Sequence, residues 1–297
     1  METFQREMNH DRNESRYSRW KQHRNQVTHL FEAVMSKEAM IEKVAIIGAG
    51  NCDDLDLVYL AARCRSIYLF DIDQESMEKG IKNLPELARK KIKLVKINVT
   101  GLDTIGFDEN LSSMLNRGQK ATSIIHYVRE IENQLSQLSE QLFAEYYDEF
   151  DIVATSAIYT QLFYNWAMDL LAEQADTYLE NDLEQIKEGF LDLRDEIVRT
   201  LNHSLSKCIK QRGYYLTWSD MLKIEPEYGD TINQGINAIF TLAANVGYGA
   251  ALIGLKAFMD EVDQSQLSLT YWPWDFNADK QYLTMGAIGR MHGNGRS

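Results

Sequence analysis

Cysteine is scarce. Cys52, Cys64 and Cys208 are the only three in 297 residues, an odd number with no CxxC spacing and no histidine pair close enough to complete a zinc set. A disulfide framework is excluded, and no metal is indicated. Proline is as rare, with 3 against 17 glycines and no repeating period, which excludes a collagen-like chain. Basic charge is in deficit: 31 Lys and Arg face 44 Asp and Glu, a net charge of −13. With a pI near 5.0 the chain lacks the cationic surface that nucleic acid requires, so no nucleic-acid partner is expected. The first 26 residues, METFQREMNHDRNESRYSRWKQHRNQ, hold no uninterrupted apolar stretch of the kind a signal peptide needs, and a cytoplasmic, reducing location is the expectation. The longest uncharged segment, residues 231–255, is long enough to test as a membrane span. Asn233, Asn237, Thr241 and Asn245 recur every fourth residue within it and Gly247, Gly249 and Gly254 interrupt the rest, so two amphipathic helices and no membrane contact are expected.

The 44% of hydrophobic residues supply a sizeable core, which rules out disorder as the main state. Residues 1–42 read as a helical extension or cap, with Trp20, Val27, Leu30, Phe31 and Val34 at helical spacing. Residues 43–50, KVAIIGAG, read as a buried strand and its turn, followed by a helix over 53–65 with Asp53, Asp54 and Asp56 in its first turn. Further strands are expected at 66–73, 93–100, 150–158 and 213–220, with helices between them, and a hairpin over 267–275 and 281–291. Residues 161–212 form a long helical insertion with an apolar seam from Leu179 to Ile209, ended by Gly213. It either caps the substrate site, pairs with a second copy in a homodimer, or enlarges the core. Strand and helix alternate, which predicts an α/β domain over 43–297 with a largely parallel sheet.

In such sheets ligands sit beyond the carboxyl ends of the strands, so the residues just after each strand matter most. Gly48-Ala49-Gly50 is either a tight turn or a site of close backbone approach to a ligand. Asp71 follows Gly50 by 21 residues, near the ~20 expected of an acid that holds a ribose diol. Its competing role, capping the next helix, suits Asp73 better. A nucleoside cofactor follows. The third glycine of a GxGxxG fingerprint is replaced by Asp53, and carboxylates there would repel a pyrophosphate by roughly 1 to 4 kcal/mol per pair. NAD and FAD are therefore disfavoured, and a cofactor carrying a sulfonium and an ammonium is favoured.

With IIGAGNCDDLDL as the glycine motif, LFDID at the acidic strand end, INVTGL, DIVATSAI and the terminal hairpin, the chain resembles the class I S-adenosylmethionine-dependent methyltransferases over roughly residues 43–291. The resemblance implies a Rossmann-like three-layer sandwich with a seven-stranded sheet whose seventh strand is antiparallel, S-adenosyl-L-methionine as cofactor and S-adenosyl-L-homocysteine as product. By position, Gly48, Ala49, Gly50 and Asn51 would line the methionine part, Asp71 the ribose, and Ile72, Asn98 and Val99 the adenine. Asn98 would accept from the adenine amine through its carbonyl, and Asn51 is read as standing for the third glycine of GxGxG. Thr155 and Ser156 either meet cofactor and substrate or are buried hydroxyls bonded to their own backbone. Asp54 either meets the methionine ammonium or stabilises the helix start.

For the substrate, Trp272 and Trp274 share one strand face and either wall a pocket or pack in the core. Tyr159 and Gln161 are open to the same two readings. His10, His23, His29, His126, His203 and His292 form no cluster; His23 is singled out because it lies near Trp20 in an extension that folds over the site. The expected function is methyl transfer to a small-molecule N, O or C nucleophile, with no catalytic base assigned. A non-catalytic nucleoside-binding or regulatory protein is the alternative, and a nicotinamide dehydrogenase a third reading.

Overall fold

Alternation along the first strand decides the architecture. In β1 (Ile41–Ile47), Val44 and Ile46 enter one core while Ala45 and Ile47 enter another, and all four are buried. A strand covered on both faces belongs inside a sheet flanked by helices. The computed structural model describes residues 1–4, 6, 14–38 and 40–292; His10 lies outside them. Before β1 come α1 (Glu14–Arg19) and α2 (Lys21–Met35). After it come α3 (Leu57–Arg63), β2 (Cys64–Asp71), α4 (Gln74–Ile81) and β3 (Ile92–Lys96). Then follow α5 (Phe107–Asn116), α6 (Ala121–Glu132), α7 (Leu135–Phe143) and β4 (Phe150–Ser156). The remainder holds α8 (Tyr164–Ala172), α9 (Glu180–Lys207), β5 (Ile209–Lys223), α10 (Ile236–Asn245), α11 (Gly249–Glu261), β6 (Ser268–Asp275) and β7 (Gln281–Arg290).

The seven strands form one sheet in the order β3-β2-β1-β4-β5-β7-β6. β1 to β5 pair in parallel, and β7 is antiparallel to both β5 and β6. The fold is thus the Rossmann-like three-layer sandwich with an antiparallel seventh strand that the resemblance implied. The chain leaves β1 toward β2 on one side and returns to β4 on the other, so the switch in strand order lies between β1 and β4. A crevice opens at that point in any open parallel sheet.

One face of the sheet is covered by α2, α3 and α4. Val27, Leu30, Phe31 and Val34 of α2 share a core with Leu57, Leu60 and Trp218. Each fully buried side chain of this kind contributes roughly 1.5–3 kcal/mol, which fastens α2 to the sheet as part of its layer. The other face is covered by α7, the carboxyl half of α9, α10 and α11. A third cluster joins α5, α6 and α8 to the amino half of α9, through Phe107, Leu111, Phe163 and Phe190.

Several sequence expectations shift. The helix expected over 53–65 begins only at Leu57, because Asp56 caps it by accepting from the Tyr59 N–H at 2.9 Å; Asp53 and Asp54 precede it. Gly213 does not end the long helix, which stops at Lys207. It lies inside β5, where a Cβ would meet the Asp151 carbonyl at 2.8 Å, beside Arg212 at φ +61°. The segment 161–212 is the crossover between parallel β4 and β5. The seam residues Ile186, Phe190, Leu193, Ile197, Leu201 and Leu205 are all buried within the chain, so this part of the seam enlarges the core, while Leu179 at its start is exposed. Asn233, Asn237, Thr241 and Asn245 are all exposed, and no helix among the described residues is long and apolar enough to cross a membrane.

Candidate functional site

The crevice at the switch point is built from the turn after β1. Gly48 and Ala49 donate their N–H groups to the Phe70 carbonyl at 2.8 and 3.2 Å, bending the chain over the end of β2. Gly48 has φ +79°, and a Cβ there would lie 1.9 Å from Ile158 Cγ2, so only glycine fits. The Gly50 N–H then donates to Asp71 Oδ2 at 2.8 Å, while the Asp73 N–H donates to Oδ1 at 2.9 Å. Both oxygens of Asp71 are braced by one donor and keep a lone pair each. Burial pushes its pKa up to about 6, against the pull of those two N–H groups. Asp73, as expected, caps α4 by accepting from the Ser76 N–H at 3.1 Å. The two acids divide the labour.

A cleft enclosing about 890 Å³ of space, part of it open to solvent, lies over this turn. Gly48, Ala49, Gly50, Asn51, Asp71 and Ile72 line it, as do Asn98, Val99 and Ser156 from the ends of β3 and β4. From the residues expected to meet substrate, Trp20, Gln161 and Trp274 reach it. Four others do not. Thr155 turns to the opposite side of the sheet and joins a buried hydroxyl network, bonding Thr217 Oγ1 at 2.6 Å and the Tyr159 hydroxyl at 3.1 Å. Tyr159 is fully buried in the same network, donating to Asn202 Oδ1 at 2.9 Å. His23 and Trp272 lie behind the cleft wall: Trp272 Nε1 donates to His23 Nδ1 at 2.9 Å, and the imidazole stacks on Trp274 with centroids 4.1 Å apart. Burial lowers the His23 pKa to about 3, with Arg24 adding to the effect.

Two assignments within the cleft also change. Asn98 Oδ1 already accepts from the Thr100 N–H and hydroxyl, at 3.1 and 2.7 Å, which fixes the amide orientation. Its Nδ2 is buried without a partner among the described residues, so Asn98 offers a donor rather than an acceptor. The third position of GxGxG is held by Cys52, not Asn51, and Cys52 takes the left-handed φ of +58° that a glycine would.

The acids after Gly50 are not bare charges. Arg16 of α1 donates from Nε to Asp53 Oδ2 at 2.9 Å, with Nη2 at 2.8 Å, and its guanidinium lies over the Trp20 ring, 4.8 Å from the centroid. Arg24 Nη1 donates to the Asp53 carbonyl at 2.7 Å. Asp54 accepts from the Ser156 hydroxyl at 2.6 Å and from Trp218 Nε1 at 2.9 Å, tying the turn to β4 and β5. Burial raises its pKa despite both bonds, and Asp53 nearby adds to the rise. Asp54 therefore does not begin a helix; both bonds fall on its Oδ2, and the residue lines the cleft. Arg16 was not foreseen; its one signal was a position four residues before Trp20 in the same amphipathic segment.

Aromatic rings close the outer rim. Trp20 meets Trp274 edge-on at 4.7 Å and Phe276 at 5.6 Å, and Trp20 Nε1 donates to the Phe276 carbonyl at 2.9 Å. Through these contacts α1 and α2 form part of the cleft wall.

No protein-family model and no curated protein matches the chain. It is similar to solved structures that include the N-methyltransferase NodS from Bradyrhizobium japonicum WM9, at 10% identity, covering 90% of this chain and 95% of that one, with a TM-score of 0.41. Another is the methyltransferase domain of bacterial CtHen1-CN, at 11% identity, 91% and 98% coverage and a TM-score of 0.40. A third, described as a predicted O-methyltransferase from Agrobacterium tumefaciens, shares 11% identity over 85% and 74% of the two chains, with a TM-score of 0.38. The Rossmann-like fold of this chain rests on its own strand order and its antiparallel β7.

Proposed function

We propose that the chain is an S-adenosylmethionine-dependent methyltransferase acting on a small-molecule acceptor. The observation that carries this is Asp71: a carboxylate at the end of β2, each oxygen braced by one main-chain N–H from the loops beside it and each left with capacity to accept one hydroxyl of a ribose. The rest of the cleft fits the same cofactor. Gly48 lets the turn pack against Ile158 at the cleft, and Asn98 Nδ2 supplies a donor without a partner among the described residues where the adenine edge is expected. When bound, the cofactor supplies a methyl group already activated on a sulfonium. The chain's own task is then to orient the nucleophile and exclude water, for which Trp20, Trp274 and Gln161 are the residues at hand.

A dinucleotide is disfavoured for a reason of chain path. Pyrophosphate binding needs a glycine turn that runs directly into a helix N-terminus with free N–H groups. Here α3 starts seven residues after Gly50, and the Asp56 side chain already occupies one of its first-turn donors, the Tyr59 N–H. Calorimetric titration of the full chain with S-adenosylhomocysteine and with NAD tests the reading. Binding of the first alone supports it; binding of NAD alone overturns it. Methyl transfer from labelled cofactor to an acceptor panel then separates an enzyme from a protein that only binds.

A further inference from the structure

The carboxyl edge of the sheet does not end with the cofactor cleft. The last residue pair between β4 and β5 is Ser156 with Trp218, yet β5 continues to Lys223, paired only with β7. Asp220 stands on this overhang. Thr160 donates its hydroxyl to Asp220 Oδ1 at 3.1 Å, with Oδ2 at 3.4 Å, and the next residue, Gln161, lines the cleft. A second route converges on the same carboxylate. Trp274, also in the cleft wall, lies 6.4 Å from the ring of Tyr282, and both Tyr282 and Tyr248 lie close enough to Asp220 for its charge to help raise their hydroxyl pKa values, after burial.

Asp220 has no ion-pair partner among the described residues. Lys223, the basic residue on the same overhang, pairs with Glu225 at 2.5 Å. Burial consequently pushes the Asp220 pKa up to about 6. A half-buried carboxylate surrounded by hydroxyls and aromatic rings, and without a cation of its own, is a site that a cationic ligand completes.

We infer that the methyl acceptor carries an organic ammonium group that anchors it, seated on Asp220 among Thr160, Tyr248 and Tyr282, with Trp274 and Tyr282 as the apolar wall beside it, while a separate unprotonated nucleophile of the same molecule takes the methyl as the sulfonium S–C bond breaks. This rests on the methyltransferase reading above. One carboxylate with neutral hydroxyls suits an organic ammonium better than a divalent metal, which takes six or more oxygen ligands with more negative charge among them.

The test is calorimetry on the full chain saturated with S-adenosylhomocysteine at pH 7.5. Phenethylammonium and n-butylammonium are each compared with their neutral counterparts, 2-phenylethanol and 1-butanol. At least one ammonium should bind ~10-fold or more tightly than its alcohol. The isosteric change Asp220→Asn should erase that difference and leave S-adenosylhomocysteine affinity unchanged within about twofold. Lowering the pH to 5 should weaken it too, with S-adenosylhomocysteine raised to stay saturating because Asp71 loses its charge over the same range as Asp220. Alcohols that bind as tightly as the ammonium ions overturn the inference, as does an undiminished ammonium preference in Asp220→Asn. If that variant does not fold, the comparison on the unaltered chain decides. Failure of S-adenosylhomocysteine to bind removes the methyltransferase reading and this inference together; its binding without ammonium preference removes this inference alone.

Discussion

Replacing Asp71 with Asn separates its ligand-binding task from its structural one. Alanine would leave the Gly50 and Asp73 N–H groups without acceptors, at about 1–3 kcal/mol each, and any lost affinity would be confounded with a loosened turn. Asparagine keeps one carbonyl oxygen for one of those donors and places an NH2 against the other. What the ligand loses is a charged acceptor for two hydroxyls, worth at least ~1.5–3 kcal/mol, or roughly 10- to 150-fold in Kd for S-adenosylhomocysteine at pH 7.5. Calorimetry reads this directly, with a thermal melt to show that the variant is folded.

The pH dependence sharpens the same prediction. The proton competes with the ribose for Asp71, whose pKa in the folded chain is about 6. Affinity should be level above about pH 7 and fall as the pH drops below 6, approaching tenfold per unit, while Asp71→Asn should be flat through that window. The stability sign is opposite to that of a salt-bridged acid. A folded pKa raised above the unfolded value means that the ionised carboxylate disfavours the fold above pH 6, and the penalty fades as the pH falls from about 6 toward 3.8. An affinity within twofold of the parent, with the acid-side slope intact in folded Asp71→Asn, would refute ribose binding by this residue.

Gly48→Ala must accommodate both a left-handed φ, at about 1–2 kcal/mol, and a Cβ 1.9 Å from Ile158 Cγ2; urea denaturation should show a loss beyond the backbone term, and S-adenosylhomocysteine binding should vanish in whatever remains folded. Arg16→Ala strips a guanidinium from the fully buried Asp53 side chain and should lower stability by about 3 kcal/mol, with little dependence on salt; a loss under about 0.5 kcal/mol, as for an exposed pair, contradicts the assigned role. His23 has a folded pKa of about 3 against 6.5 unfolded, so its contribution is present above pH 6.5 and is lost as the pH falls toward 3. Between pH 6.5 and 4.5 the parent should lose roughly 2–3 kcal/mol relative to His23→Phe, and parallel stability curves for the two would show that the imidazole is not held neutral.

The parts of the fold that were legible in the sequence are those set by local pattern. Strand-to-helix alternation gave the parallel sheet, and the paired spacing of Trp272 and Trp274 gave a shared strand face. Gly48 and Asp71 announced themselves because a turn and a strand end fix both their neighbours and their direction. What stayed hidden depends on partners distant in sequence. The Arg16–Asp53 pair spans 37 residues and Ser156–Asp54 spans 102, and no periodicity encodes either. Thr155 and Tyr159 are each open to two readings in the sequence, and the fold takes the buried one. At the end of a strand one residue faces the cleft and its neighbour faces the opposite core, and only the observed register shows that Ser156 is the outward one.

The same long-range partners relocate the basis of cofactor choice. On the sequence alone, three aspartates after Gly50 looked like a negative field that repels diphosphate and attracts a sulfonium. In the fold, Asp53 is matched by Arg16, Asp54 is shifted toward its neutral form by burial, and Asp56 spends its side chain on a helix cap. Little net field remains to select anything. The selection that survives is geometric: residues 51–56 separate the glycine turn from the helix start, so the turn does not run directly into the N-terminus of α3. Adding positive charge near Asp53 should therefore leave NAD unable to bind, because the helix start would still stand apart from the glycine turn. The charge left without an ion-pair partner among the described residues is the Asp220 carboxylate; with an ammonium seated there, as inferred above, charge discrimination falls to the acceptor and shape discrimination to the cofactor.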